Sequence, residues 1–127
     1  MTNWLLVALG GAAGSAARYG LGVQAGRWLG TAWPWGTFAV NILGGLLMGV
    51  LAGWLAHRGG ADQEKWRLLL GVGLLGGFTT FSAFSLETVL LMDRRGVGWA
   101  VAYAGLSVVL AVAALWVGLQ LARRAFA

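Results

Sequence analysis

Three groups of uncharged polar and aromatic side chains in this sequence are spaced to act together. Phe81 and Phe84 lie three residues apart, and Ser82 and Ser85 repeat the interval one position further on. On a helix this spacing gives one aromatic face and one hydroxyl face. Thr37 and Asn41 are four apart, as are Tyr103 and Ser107, so each pair also shares a helical face. Amide N–H groups, hydroxyl hydrogens and the positive edges of aromatic rings all suit a small anion. Hydrogen bonding between helices is the other use of any one such stripe. Glu87 is the single potentially buried acid in these stretches, so donors outnumber fixed negative charges.

The elements that position these groups are set by an unusual composition. Of 127 residues, 59% are hydrophobic and 10% charged, against roughly 25% charged in an average soluble domain. Four apolar blocks run over about 3–25, 34–56, 66–91 and 97–122, each near the roughly 20 residues that cross a hydrocarbon core. The expectation is an all-α membrane protein whose single domain, residues 1–127, has four transmembrane helices. The first block lacks a basic stretch before it and is followed by further spans, so it reads as a retained helix and not a cleaved signal. The connections RWLGTAW, HRGGADQEK and MDRRGVG are short, with Pro34 opening the second helix. Trp4, Trp28, Trp33, Trp35, Trp54, Trp66 and Trp99 lie near span ends, where indoles anchor at the headgroup level.

Several function classes fall away. There is no cysteine and only one histidine, His57, which removes thiolate and His-based metal sites. The net charge of +5 comes from basic residues between apolar blocks; they flank spans and form no face for nucleic acid. LGGAAGSAARYG lacks the GxGxxG spacing of a dinucleotide site. The glycines instead recur every four residues, at Gly10 and Gly14, Gly22 and Gly26, Gly45, Gly49 and Gly53, and Gly73 and Gly77. In lipid such small-residue faces let helix backbones approach closely.

The segment GGFTTFSAFS interrupts the third block near its centre, with ten residues before Gly76–Thr80 and eleven after. Paired glycines followed by two β-branched threonines predict a helix broken at the bilayer midplane. Backbone groups freed there must be satisfied within the protein, which is why broken helices line ion or substrate sites. A glycine packing notch, with the threonines bonded back to their own helix, is the structural alternative.

On GSAARYGLG in the first span, GTFAVNILGG in the second and GGFTTFSAFSLE in the third, the whole chain resembles the small bacterial fluoride channels, the CrcB or Fluc proteins. The resemblance implies four-helix subunits paired as antiparallel, dual-topology homodimers in the bacterial inner membrane, where they export fluoride passively. It implies two fluoride pores and a central sodium ion held by backbone carbonyls of the broken helices. By matching position, Phe81 and Phe84 are the pore phenylalanines and Asn41 the pore asparagine, with Thr37, Thr80 and Ser82 beside them. Gly76 and Thr79 offer the sodium-binding carbonyls. Tyr103 and Ser107 begin a polar track in the fourth span, and Ala111 stands where a hydroxyl would extend it.

Arg18 reads either as an anion-attracting vestibule residue or as an arginine snorkelling to the interface, and Glu87 either as an ion-pair partner or as a hydroxyl acceptor. A small dual-topology, proton-coupled multidrug exporter is the alternative function. It needs an exchangeable carboxylate deep in a span, and Glu87 stands near the expected end of its block. A membrane enzyme lacks a nucleophile–base pair, and a purely structural assembly protein would use only the glycine faces. Basic residues number five on the side of both termini and the second loop (Arg58, Lys65, Arg67, Arg123, Arg124). The other side has three (Arg27, Arg94, Arg95), or four with Arg18. That small difference predicts insertion in both orientations.

Overall fold

Glycine and proline set the ends of the long helices. The computed structural model describes residues 1–126. α1 (Thr2–Leu29) stops at Gly30, whose φ of 80° is one that side chains disfavour. Pro34 caps α2 (Trp35–Arg58), where its missing N–H is harmless. A 3-10 turn, Gly60–Asp62, leads into α3 (Gln63–Trp66), a π-helical stretch (Arg67–Leu75) and α4 (Gly76–Phe78). Thr79 and Thr80 are extended, and α5 (Phe81–Arg95) resumes the helix. α6 (Val97–Phe126) follows Gly96 at φ 102°.

Trp35–Arg58, Gly60–Arg95 and Val97–Phe126 are long and apolar enough to cross a membrane. α1, with 28 residues, spans about 42 Å against a core of about 30 Å. It has the length of a fourth span but is less apolar, because its middle is GGAAGSAAR.

The helices pack in two tight pairs, α2 along α6 and α1 along Arg67–Leu75 and α4, while α5 rests mainly on α6. Glycines make both pairs possible. A Cβ on Gly49 would overlap the Leu115 carbonyl and lie 2.8 Å from Leu119 N, and one on Gly118 would overlap the Leu46 carbonyl. In the other pair a Cβ on Gly10 would lie 2.8 Å from Leu74 N, and one on Gly77 would lie 2.6 Å from Gly11 O. Backbone therefore meets backbone, as expected where lipid gives little hydrophobic drive between helices. Gly26 differs, because a Cβ there meets nothing within 4 Å, whereas a Cβ on Gly36 of α2 would lie 2.8 Å from the Gly22 Cα.

The third span departs from the expected break in one respect. Gly76 and Gly77 remain helical, with Gly76 at φ −62°, ψ −40°, and the extended backbone is confined to Thr79 (φ −87°, ψ 161°) and Thr80 (φ −152°, ψ 124°). Gly77 is small because α1 presses against it at Gly11, and the β-branched threonines make the break. Gly44 of α2 leaves the room into which the Thr79 methyl projects.

Candidate functional site

A broken helix leaves carbonyls without donors and N–H groups without acceptors, and here named side chains take most of them. The Thr80 N–H donates to Asn41 Oδ1 at 2.8 Å, and Asn41 Nδ2 donates to the Thr80 carbonyl at 3.0 Å. One amide thus pairs both polar groups of one extended residue, as a neighbouring strand would. Thr80 Oγ1 caps α5 by accepting from Ala83 N at 3.1 Å, and Thr79 Oγ1 donates to the Leu75 carbonyl at 2.9 Å. From α1, Arg18 Nε donates to the Gly77 carbonyl at 3.2 Å.

The same bonds identify two carbonyls whose usual helical donors are engaged elsewhere. The donor four residues after Gly76 is Thr80 N, which is bound to Asn41, and the donor four after Thr79 is Ala83 N, which is bound to Thr80 Oγ1. Neutral carbonyl oxygens at a helix break are the ligands that a hard cation prefers.

Just beyond the break lies a cavity of about 340 Å³ lined by Asn41 of α2, Thr79 and Thr80, Phe81 and Phe84 of α5, and Ser107 and Ala111 of α6. Its wall includes the first residues of α5, the positive end of a 15-residue helix dipole. The two phenylalanine rings stand 5.6 Å apart between centroids, and Phe81 is 79% exposed. Ser107 is buried. Ser82 is exposed at the rim, 3.4 Å from Thr80 by their hydroxyl oxygens, while Ser85 donates back to the Phe81 carbonyl at 3.0 Å.

A second cavity of about 430 Å³ lies between α1, α2 and α5, and it holds Arg18, Thr37 and Glu87. Thr37 and Asn41, one stripe in the sequence, therefore face different spaces. Tyr103 joins the two sides. It is fully buried, its ring centroid lies 5.4 Å from that of Phe84, and its hydroxyl donates to Glu87 Oε2 at 3.3 Å. Glu87 stands in the middle of α5, not near a helix end, because the helix continues past the expected boundary at 91 to Arg95.

Sequence reasoning did not find two parts of this arrangement. The helix N-terminus at the cavity follows from a break at Thr79–Thr80 with Thr80 as cap, and the signal available was a threonine three residues before Ala83. The attachment of Asn41 to Thr80 joins residues 39 apart in sequence, and helical spacing carries no information on it.

The family model described as "CrcB-like protein, Camphor Resistance (CrcB)" matches residues 5–119. The chain is 72% identical over its whole length to a protein of Phenylobacterium zucineum (strain HLK1) named "Fluoride-specific ion channel FluC", covering 100% of both chains. Proteins of the same name from Caulobacter vibrioides (strain NA1000 / CB15N) and Hyphomonas neptunium (strain ATCC 15444) are 60% and 54% identical, each again over 100% of both chains. With 115 matched residues of 127, from 5 through 119, the chain belongs to the CrcB-like family.

Proposed function

We propose that this chain forms a fluoride-selective channel, not an enzyme, that lets fluoride leave the cell passively through the bacterial inner membrane. The observation that carries the reading is the cavity at the break, which gathers an amide, hydroxyls, two aromatic rings and a helix N-terminus with no basic side chain in its lining. Fluoride is small and strongly hydrated, so a pathway must replace its water with convergent donors while holding it weakly enough to release it. A fixed cation would trap it. Arg18 lines a different cavity and is tied to the Gly77 carbonyl. The full-length relatives named as fluoride-specific channels support the choice of ion.

Phe81, Phe84, Asn41, Thr80, Ser82 and Ser107 form the pore, with Thr37 and Tyr103 on the continuing route. Since Asn41 Oδ1 and one N–H hold Thr80, its remaining N–H is the donor left for the ion. The carbonyls of Gly76 and Thr79 hold a sodium ion, whose bound charge would fix the broken ends and complete their coordination. Two copies pair in antiparallel orientation, covering the exposed Phe81 and bringing the two breaks together. The exporter alternative gains one observation, the position of Glu87 within its helix. However, Glu87 already accepts the Tyr103 hydroxyl, an arrangement that positions the tyrosine and supplies no cation cage.

Purified protein in liposomes tests the channel. Fluoride should leave far faster than chloride without any imposed proton or sodium gradient, and strict dependence on a proton gradient would establish the exporter instead. Cysteines placed singly at Gly60 and Gly96 test the pairing. Each should be labelled from both membrane faces, and labelling from one face only would exclude antiparallel copies. Flux and assembly unchanged after exhaustive sodium removal would rule out a required ion.

A further inference from the structure

Trp33 stands at a span end, where an indole N–H ordinarily finds water or a headgroup. Its Nε1 is instead buried, and it has no hydrogen-bond partner among the described residues. An indole nitrogen can only donate, and a donor kept from both water and protein acceptors is unfavourable in a low-dielectric setting. The group therefore suits a small acceptor entering from elsewhere.

Its surroundings connect it to the candidate pore. The Trp33 ring meets Tyr103 edge-on at 5.4 Å between centroids and Phe38 edge-on at 5.7 Å. Tyr103 in turn lies against Phe84, and Phe84 against Phe81. Trp33 also lines a cavity of about 440 Å³ together with Thr37, Glu87 and Arg94. One turn along α6 from Tyr103, the buried Ser107 lines the cavity at the break.

We propose that the Trp33 indole N–H is a further donor for the permeating anion, placed where the chain between α1 and α2 meets α6 and preceding the phenylalanine pair on the route. This rests on the fluoride-channel reading. Arg94 in the same cavity lining would raise the local anion concentration there without entering the narrow part.

Trp33→Phe keeps an aromatic ring and deletes the N–H. In liposomes the full-length variant should release fluoride roughly tenfold more slowly than wild type, the loss expected for one donor to a charged group. In a two-dimensional nitrogen–proton spectrum of the wild type, the indole resonance absent from the variant should move on titration with sodium fluoride and stay fixed with sodium chloride. If Trp33→Phe does not assemble, benzothienylalanine at position 33 keeps the bicyclic shape, deletes the same N–H and identifies the resonance. Wild-type flux in the variant, or a resonance unmoved by fluoride while the wild type conducts, would overturn the proposal and leave Trp33 a packing residue. A wild type that does not conduct fluoride would overturn the channel reading and this donor with it.

Discussion

The α2–α6 seam and the break between α4 and α5 are held together in opposite ways. Along the seam, glycines let one helix backbone rest on another: Gly49 lies against Leu115 and Leu119, and Gly118 against Leu46 and Val50. At the break, backbone conformation is held by side chains from other helices, with Asn41 on Thr80 and Arg18 on Gly77. The first region is stabilised by dispersion and shape, the second by hydrogen bonds made where water is scarce. The seam and the proposed conducting path should therefore answer to different changes: a bulky residue should damage the first, and loss of a polar group or ring the second.

The largest expected effect is at the seam. Gly49→Leu would drive a side chain into the Leu115 carbonyl, and because a backbone cannot yield as a side-chain tip can, the destabilisation should reach about 3 kcal/mol or more. Size-exclusion profiles after heating should show loss of the monodisperse protein at a much lower temperature. A variant with wild-type melting would show that the seam is not tight.

Asn41→Leu comes next and should affect both stability and flux. It leaves the Thr80 N–H and carbonyl unpaired, at about 1–3 kcal/mol for each buried group, and removes the donor proposed for the ion. Asn41→Asp keeps an acceptor for the Thr80 N–H but sets a carboxylate oxygen against the Thr80 carbonyl and adds a negative charge beside the cavity, so fluoride flux should fall at least as far as in Asn41→Leu. Melting of Asn41→Leu at the wild-type temperature would show that the paired hydrogen bonds contribute little.

Phe81→Ile and Phe84→Ile sharpen the comparison from the other side. Replacing either ring should lower fluoride flux roughly tenfold or more, through loss of the positive ring edge, while the protein still assembles. Normal conduction by both variants would reduce the phenylalanines to packing. The smallest effect belongs to Gly26→Ala, whose new methyl meets nothing within 4 Å. Melting should shift by no more than about 0.5 kcal/mol equivalent, and flux should hold.

These contrasts also show how far the sequence could be read. Helical periodicity and block length reach the four long helices, since both are properties of neighbouring residues. The four-residue glycine spacing locates the faces at Gly45, Gly49 and Gly53, where α6 approaches, yet the same spacing at Gly22 and Gly26 marks a close approach only at Gly22, which lies against Gly36 of α2. Spacing reports which residues share a face and is silent on what lies opposite. For the same reason the Thr37–Asn41 stripe divides between two cavities. The π-helical turns of Arg67–Leu75 have no hydropathy signature, because widening a helix changes its hydrogen bonds and not its composition. The pairing of Phe81 with Phe84 was legible because it is local, whereas the pairing of Asn41 with Thr80 joins two spans.

The most direct test of a neutral-donor fluoride path is a comparison of anion efflux from liposomes containing the purified wild-type protein, with internal fluoride or chloride and no proton gradient. With a potassium ionophore present to balance charge, a fluoride electrode should record rapid release, and a chloride electrode should record release near that of protein-free liposomes. Chloride release as fast as fluoride release, or fluoride release only when a proton gradient is imposed, would contradict the account.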